Sequence, residues 1–378
     1  MPAPTRKTIS AERHIEQAIE HLPFYVTDFV RAKRRASLSP TTISGYLHDY
    51  KKFFDWLRME GLTDAKDNKD IPFTVLESLK KKEVEYFIEM LMMEKVEQRK
   101  DVFVDRSKAS VSRFIQSLKS LFNYLTTESE DDDGECYFHR NVLAKIKTPK
   151  KSESAAHRAK RISNQILDKN EMDGLLNFVK YEYEKTLSPR LLSRFKRDRL
   201  RDVAIIALFQ GSGIRVNELA GLLLPDIDSR KGDISVLRKG NEADTVSITP
   251  SSMEELINYL NERESIYKPD SKNQYVFLTR YAGQANSIAV KTIQTLVGKY
   301  SQAYLVGKRL SPHKLRHSFA LQWINEGGSL VALRDQLGHE TIETTALYTN
   351  LSQEEQREIL KLMDRDEVDT TKDGFTNN

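Results

Sequence analysis

The stretch from Thr148 to Ser163 constrains the fold of this 378-residue chain more than any other segment. It reads TPKKSESAAHRAKRIS, which is rich in Lys, Arg and Ser and has no periodic apolar residues. A segment of this composition cannot bury a core of its own. Because regular apolar patterns lie on both sides, we expect two domains joined by a basic linker over residues 148–164.

Apolar residues at helical spacing dominate the chain before this linker. The spacing predicts helices over Tyr25–Ala36, Thr41–Leu57, Val75–Met93 and Ser107–Tyr124, with a break in the third near Lys80–Lys82. We therefore expect an all-helical domain over residues 22–147. The preceding residues, 1–21, are expected to form a loose N-terminal arm or a short helix.

After the linker the pattern is mixed. It predicts helices over residues 166–181, 199–210, 215–224, 252–263, 290–301, 312–325, 329–336 and 343–348. Two short strands, 233–237 and 245–249, flank a Gly240-Asn241 turn and resemble a hairpin. The expected fold is mainly α with a small β-hairpin, and its second domain, 165–352, is of mixed α/β type. Residues 353–378 are expected to form a last helix and a disordered tail.

Composition excludes several function classes. The chain has 39% hydrophobic and 30% charged residues and only one cysteine, Cys136. It contains neither an apolar run long enough to cross a membrane nor a secretory signal, so we expect a cytoplasmic protein. No intramolecular disulfide and no cysteine-based metal site is expected. The absence of a Walker-type sequence argues against nucleotide use.

Basic residues are clustered, although the net charge is only +4. Such clusters fit the binding of a phosphate backbone, but charge runs are often simply solvated surfaces, and the sequence leaves both interpretations open. The candidate DNA-binding residues are Arg31, Lys33, Arg34, Arg113, Lys150 and Lys151.

Residues capable of chemistry concentrate in the second domain. His313 and His317 share a helix face, but Lys314 stands where a zinc protease has its glutamate, so no metal site is expected. Arg215 and Arg316 each follow a break and open a helix, and two guanidinium groups can clamp one phosphate. A tyrosine hydroxyl such as that of Tyr348 can act as a nucleophile, although a lone tyrosine more often serves packing.

Five separated elements occur in a telling order. Gly213-Ile214-Arg215 is followed by Lys239, His313-Lys314-Leu315-Arg316-His317, Leu337-Gly338-His339 and, nine residues on, Tyr348. This order resembles the signature of the tyrosine recombinases, and the resemblance covers roughly Leu22 to Met363. Segments such as Phe53-Phe54-Asp55-Trp56 look most like the Xer branch, and within it like the XerS type, which works as a single recombinase.

The resemblance implies specific roles. Tyr348 would attack the scissile phosphodiester to form a 3′-phosphotyrosyl bond, with no cofactor. Arg215 and Arg316 would hold the non-bridging oxygens, and Lys239 would protonate the leaving 5′-oxygen. His313 would transfer protons with Tyr348. His339 would donate a hydrogen bond to the phosphate, and Glu218 would brace Arg215.

The resemblance also implies an architecture and partners. A two-domain clamp, a helical core-binding domain plus the catalytic domain, would encircle double-stranded DNA carrying an inverted-repeat site. Four subunits would exchange strands through a Holliday junction, and a DNA translocase is a possible partner. Chromosome dimer resolution is the expected task. An amphipathic segment over Leu351–Met363 would dock on a neighbouring subunit, or else pack on its own domain.

Three alternatives stay open on sequence alone. The first is an integrase or resolvase of a mobile element, and the second a relaxing enzyme of the type IB topoisomerase class. The third is a non-catalytic DNA-binding relic, which the intact set of residues disfavours. One departure concerns the predicted hairpin, where Glu242, Ala243 and Asp244 stand in place of the further basic residues common in the family.

Overall fold

Two compact units, Met1–Ser152 and Glu153–Asn378, make up the chain in a computed structural model. The structure describes residues 6–99, 102–148, 166–238, 242–305 and 308–338. The division falls inside the segment predicted to be a linker. The predicted Gly240-Asn241 turn and the predicted helices at 343–348 and beyond residue 352 lie outside the described residues.

Unit 1 is built mainly from helices. They are α1 (Arg6–Ile19), α2 (Phe24–Arg35), α3 (Pro40–Met59), α4 (Phe73–Ser78), α5 (Lys81–Met93) and α6 (Lys108–Asn123). The predicted break near Lys80–Lys82 is confirmed as the boundary between α4 and α5. Residues 6–19, left open as an arm or a helix, form α1, and its residues Ala11 and Ile15 are buried.

The expectation of an all-helical first domain is wrong in one place. Strands β1 (Lys95–Arg99) and β2 (Val102–Asp105) form an antiparallel hairpin between α5 and α6. The hairpin escaped sequence analysis because its residues are mostly charged and no Gly or Asn marks a turn in that stretch.

Aromatic side chains form the centre of the unit 1 core. The Phe53 ring lies 5.2 Å from Phe87 and 5.8 Å from Trp56, centroid to centroid. The Tyr50 hydroxyl donates to the backbone oxygen of Ser117 at 2.9 Å, which ties α3 to α6. The apolar face predicted for Thr41–Leu57 is therefore the face that packs inside the unit.

Unit 2 surrounds the carboxyl-terminal half of a long helix, in which residues 201–212 are buried. Its helices are α7 (Lys169–Asn177), α8 (Pro189–Ser212), α9 (Val216–Gly221), α10 (Pro250–Tyr267), α11 (Val290–Tyr304), α12 (Pro312–Asn325) and α13 (Leu330–Leu337). Its strands are β3 (Ile227–Asp228), β4 (Asp233–Leu237), β5 (Ala243–Ser247), β6 (Leu278–Tyr281) and β7 (Gln284–Ser287). Strands β3, β4 and β5 form one antiparallel sheet, and β6 pairs with β7.

The mainly helical fold class with small antiparallel sheets is confirmed. Helix α8 starts ten residues earlier than the predicted Arg199, because the charged residues that follow Pro189 hide its apolar pattern. The β6–β7 hairpin was not predicted. Among the described helices, none has the length and apolar character needed to cross a membrane.

A buried ionic network fixes α8 inside unit 2. Arg201 donates to Asp202 Oδ1 through Nε and Nη2, at 2.9 and 2.6 Å, and through Nη1 to the backbone oxygen of Leu278. The Tyr300 hydroxyl donates to Asp202 Oδ2 at 2.5 Å, and Tyr267 donates to Asp198 at 2.8 Å. Burial and the Asp202 carboxylate raise the pKa of Tyr300, which therefore stays a hydrogen-bond donor.

Asp202→Ala is expected to lower the free energy of unfolding of unit 2 by about 3–5 kcal/mol, because it leaves the buried Arg201 charge without its main partner. The transition can be followed in urea by the fluorescence of Trp323 in a Trp56→Phe background. Asp335→Ala is the control, since its carboxylate is 62% exposed and a surface pair contributes at most about 1 kcal/mol. Equal effects of the two changes would contradict the prediction.

Candidate active site

The corner between α8 and α9 places Arg215. Helix α8 ends at Ser212, and Gly213 follows in the left-handed conformation with φ of 65°. A Cβ on Gly213 would lie 2.5 Å from Phe319 Cδ1, so only glycine fits without displacing a core side chain. The chain turns there, and Arg215 directly precedes the first residue of α9.

A buried carboxylate orients Arg215. Glu218 Oε2 accepts from the Arg215 backbone nitrogen at 2.8 Å, and Oε1 accepts from Arg215 Nη1 at 2.9 Å. Arg215 Nη2 donates to the backbone oxygen of Gly338 at 2.6 Å. The Arg215 side chain is still 37% exposed, so it is accessible to an anion from solvent.

Arg316 reaches the same place from α12. Its side chain is buried, and Nη1 donates to the backbone oxygen of Gly213 at 2.6 Å. Nη2 donates to the backbone oxygen of Leu337, one residue before the oxygen that Arg215 contacts. The structure thus brings the two arginines predicted from sequence together at the carboxyl end of α13. That end carries the negative pole of the helix dipole.

His313 lies one helical turn before His317 on α12, and their ring centroids are 4.2 Å apart. The pKa of His313 is lowered, first because surrounding protein displaces water from the ring, and then because Arg316 and Arg215 repel a proton. His313 is therefore electrostatically coupled to both arginines and neutral near pH 7. Among the described residues, no three potential metal ligands form a cluster.

The remaining candidate catalytic residues, Lys239, His339 and Tyr348, lie outside the described residues, and their roles stay predictions. The same holds for the candidate DNA-binding residues Lys150 and Lys151.

The basic cluster on α2 is engaged within unit 1. Lys33 pairs with Glu128 at 2.7 Å and lies over the Phe29 ring. Arg34 contacts Glu12. Arg31 makes a longer contact of 3.3 Å with Asp28 and is 68% exposed, which leaves it the most available of the three for a phosphate. Their role in DNA binding stays a prediction.

Arg113 on α6 is held differently. It donates to Asp49 Oδ1 at 2.8 Å, and Asp49 is almost fully buried whereas Arg113 is 51% exposed. A buried carboxylate thus anchors an exposed guanidinium group on the surface formed by α3 and α6.

Sequence analysis missed Arg238, which comes directly after β4. Its side chain is buried at the junction of α9, β5 and α13 and contacts Glu218 and Asp244. The only signal in the sequence was its position beside Lys239, which does not reveal these contacts. Asp244, one of the acidic residues noted as a departure from the family pattern, is the partner of this arginine.

Comparison with known proteins agrees with this geometry. Residues 165–355 match the Phage integrase family. The chain is 39% identical over 346 residues to the tyrosine recombinase XerS of Streptococcus uberis, which covers 92% of this chain and 97% of that protein. The chain is a Xer-type tyrosine recombinase. It is also 37% identical to XerS of Streptococcus pneumoniae strain Hungary19A-6, over 94% of this chain and 99% of that one.

Solved structures share the fold of this recombinase. XerH bound to a palindromic difH substrate, in a post-cleavage complex, matches with a TM-score of 0.57 at 19% identity, over 86% of this chain and 80% of that one. A lambda integrase dimer bound to a core site matches with a TM-score of 0.50 at 16% identity, over 84% and 94%. These likenesses show the fold, and the relationship to the XerS proteins shows a site-specific enzyme that breaks and rejoins DNA.

Proposed function

We propose that this recombinase resolves chromosome dimers at one specific DNA site, as a single recombinase of which four copies assemble on two sites. The observation that carries the proposal is the meeting of Arg215 and Arg316 beside Glu218, in a chain related to XerS proteins along nearly its whole length. The protein would act in the cytoplasm, on double-stranded DNA with an inverted-repeat site. A DNA translocase would control when the site is used.

The charge of the site supports an anionic substrate. Three guanidinium groups, those of Arg215, Arg238 and Arg316, meet at the end of α13. Two carboxylates lie against them in the described residues, those of Glu218 and Asp244. The remaining positive charge attracts an anion, and the partly exposed Arg215 is where a phosphate would be met. Guanidinium donors already held in place stabilise the charge that develops in a phosphoryl-transfer transition state.

The proposed reaction conserves the number of phosphoester bonds and needs no external energy source. The Tyr348 oxygen bonds to phosphorus while the bond from phosphorus to the 5′-oxygen breaks. The tyrosine proton passes to His313, and Lys239 gives a proton to the leaving 5′-oxygen. A 5′-hydroxyl from the partner duplex then attacks the phosphotyrosine and restores the phosphodiester. One ester bond replaces another at each step, so the overall exchange needs no nucleotide hydrolysis.

The lowered pKa of His313 leads to a pH prediction. A lowered pKa means that the ring loses its proton at a lower pH, so the neutral, proton-accepting form persists below the ordinary histidine value of 6.5. The rate of single-turnover DNA cleavage is therefore expected to fall only below that pH. In His313→Asn the rate should be lower, and this acidic limb should be missing. If the wild-type cleavage rate instead falls with a midpoint at or above pH 6.5, the role of His313 as proton acceptor is contradicted.

The test of the proposed function maps protein–DNA adducts in the source cells. DNA attached to the wild-type protein is recovered under denaturing conditions and sequenced, with a Tyr348→Phe strain as background. Adducts at one locus opposite the replication origin are the expected result. Adducts at the ends of a mobile element would indicate that the enzyme acts in integration or excision and not in dimer resolution. Scattered adducts would favour a topoisomerase, and none at a bound site would favour a DNA-binding relic.

A further inference from the structure

Arg238 occupies a buried position beside the candidate site, with a side chain only 8% exposed. Each of its three nitrogen atoms donates within the protein, through four of the five N–H groups. Nε donates to Asp244 at 2.8 Å, and Nη2 donates to the backbone oxygen of Gln336 at 3.0 Å. Nη1 donates to Glu218 Oε1 at 3.0 Å and to the backbone oxygen of Leu337 at 3.1 Å. One side chain therefore joins β5, α9 and the carboxyl end of α13.

Two of these acceptors are shared with the candidate catalytic arginines. Glu218 Oε1 accepts from both Arg238 and Arg215, at 3.0 and 2.9 Å. The backbone oxygen of Leu337 accepts from both Arg238 and Arg316. A shift of Arg238 would move or free an acceptor of each arginine, so the three guanidinium groups form one connected hydrogen-bond network.

We propose that Arg238 is a positioning residue that fixes both Arg215 and Arg316 in the orientation needed to hold the scissile phosphate. It acts through the two arginines and does not bind the phosphate itself, since its side chain is buried and four of its five N–H groups donate inside the protein. The inference rests on the proposed function, in which those two arginines bind the non-bridging oxygens. Partners that orient metal ligands commonly contribute about 10–100-fold to activity, and we expect an effect of the same size here.

The test compares two DNA substrates. One carries an ordinary scissile phosphodiester, and in the other a methyl group replaces one non-bridging oxygen at that phosphorus. The methylphosphonate has no negative charge to neutralise, so its cleavage depends little on guanidinium groups. Arg238→Gln is expected to lower single-turnover cleavage of the phosphodiester about 10–100-fold and to cleave the methylphosphonate at nearly the wild-type rate.

Gly338→Ala provides a second variant in case Arg238→Gln fails to fold. Gly338 has φ of 59°, and a Cβ there would lie 2.5 Å from Cζ of Arg238. The change displaces the Arg238 side chain while all three arginines stay in the chain. The same selective loss on the phosphodiester is expected.

Arg263→Gln is the matched control. Arg263 is a buried arginine that also donates to backbone oxygens, those of Asn273 and Tyr275, but it shares no acceptor in the described network with Arg215 or Arg316. Any loss it causes through stability should be equal on the two substrates. An equal loss in the Arg238 variant, or no loss, would overturn the positioning role.

Arg215→Ala distinguishes a failure of the inference about Arg238 from a failure of the proposed function. If its cleavage is restored on the methylphosphonate and that of Arg238→Gln is not, the proposed function stands and the role of Arg238 is wrong. If Arg215→Ala is not restored, the phosphate-binding role of Arg215 fails, and the inference about Arg238 fails with it.

Discussion

Tyr348→Phe is expected to abolish covalent attachment to DNA, with cleavage slower by on the order of 10⁴-fold or more, while DNA binding is retained. The change removes one hydroxyl group and keeps the aromatic ring. A substrate nicked near the scissile phosphate traps the adduct, because the short cleaved strand diffuses away. The adduct is then measured on a denaturing gel, and binding is measured separately by gel shift.

Four other tyrosines of unit 2 make poor substitutes. Several are buried inside the core, where loss of water raises the pKa of the hydroxyl, in the case of Tyr259 to about 12. The buried tyrosines with a raised pKa are Tyr183, Tyr259, Tyr267 and Tyr300. A hydroxyl that neither reaches solvent nor ionises cannot attack a DNA phosphate.

Tyr281→Phe is the control for this prediction. Tyr281 is 75% exposed at the end of β6 and is not among the partners described above for Arg215 and Arg316, so its replacement should leave cleavage unchanged. Adduct formation by Tyr348→Phe at the wild-type rate would place the nucleophile on another residue. Loss of DNA binding by that variant would mean that the tyrosine hydroxyl also helps to recognise the site.

Sequence reasoning predicted elements whose apolar period is undisturbed. Helix α12 runs over the predicted residues 312–325, and β4 over the predicted 233–237. Two errors arose where charge masks the pattern, whereas the β6–β7 hairpin was missed although Gly283 marks its turn. Helix α8 begins in a basic stretch, and the β1–β2 hairpin carries alternating charges without a turn residue. Helix α8 is held by contacts distant in sequence, such as that of Arg201 with the backbone oxygen of Leu278, which local spacing does not show.

In the candidate site, too, some residues could be predicted from the sequence and others could not. Motif order pointed to Arg215 and Arg316, and the structure places both at the end of α13. Motif order did not point to Arg238, because its importance lies in acceptors shared with residues some 20 to 100 positions away. Arg201 belongs to a basic run of the sequence but is buried beside Asp202, and sequence alone does not distinguish a solvated arginine from one paired inside a core.

Arg215→Lys is expected to slow DNA cleavage by about 10³-fold or more with little loss of stability. A lysine keeps the charge, but its single ammonium group cannot contact Glu218, the oxygen of Gly338 and a phosphate together. Arg215 is partly exposed, so the fold depends on it less than on the buried Arg316.

Arg316→Lys therefore serves as the comparison for Arg215→Lys. It should slow cleavage to a similar degree and also lower the free energy of unfolding, because the buried oxygens of Gly213 and Leu337 lose donors. Measuring single-turnover cleavage and urea unfolding on both variants separates catalysis from folding. If Arg215→Lys cleaves within about tenfold of wild type, the two-pronged guanidinium contact is not what holds the phosphate. If Arg215→Lys instead loses as much stability as Arg316→Lys, the main role of Arg215 is to stabilise the corner between α8 and α9.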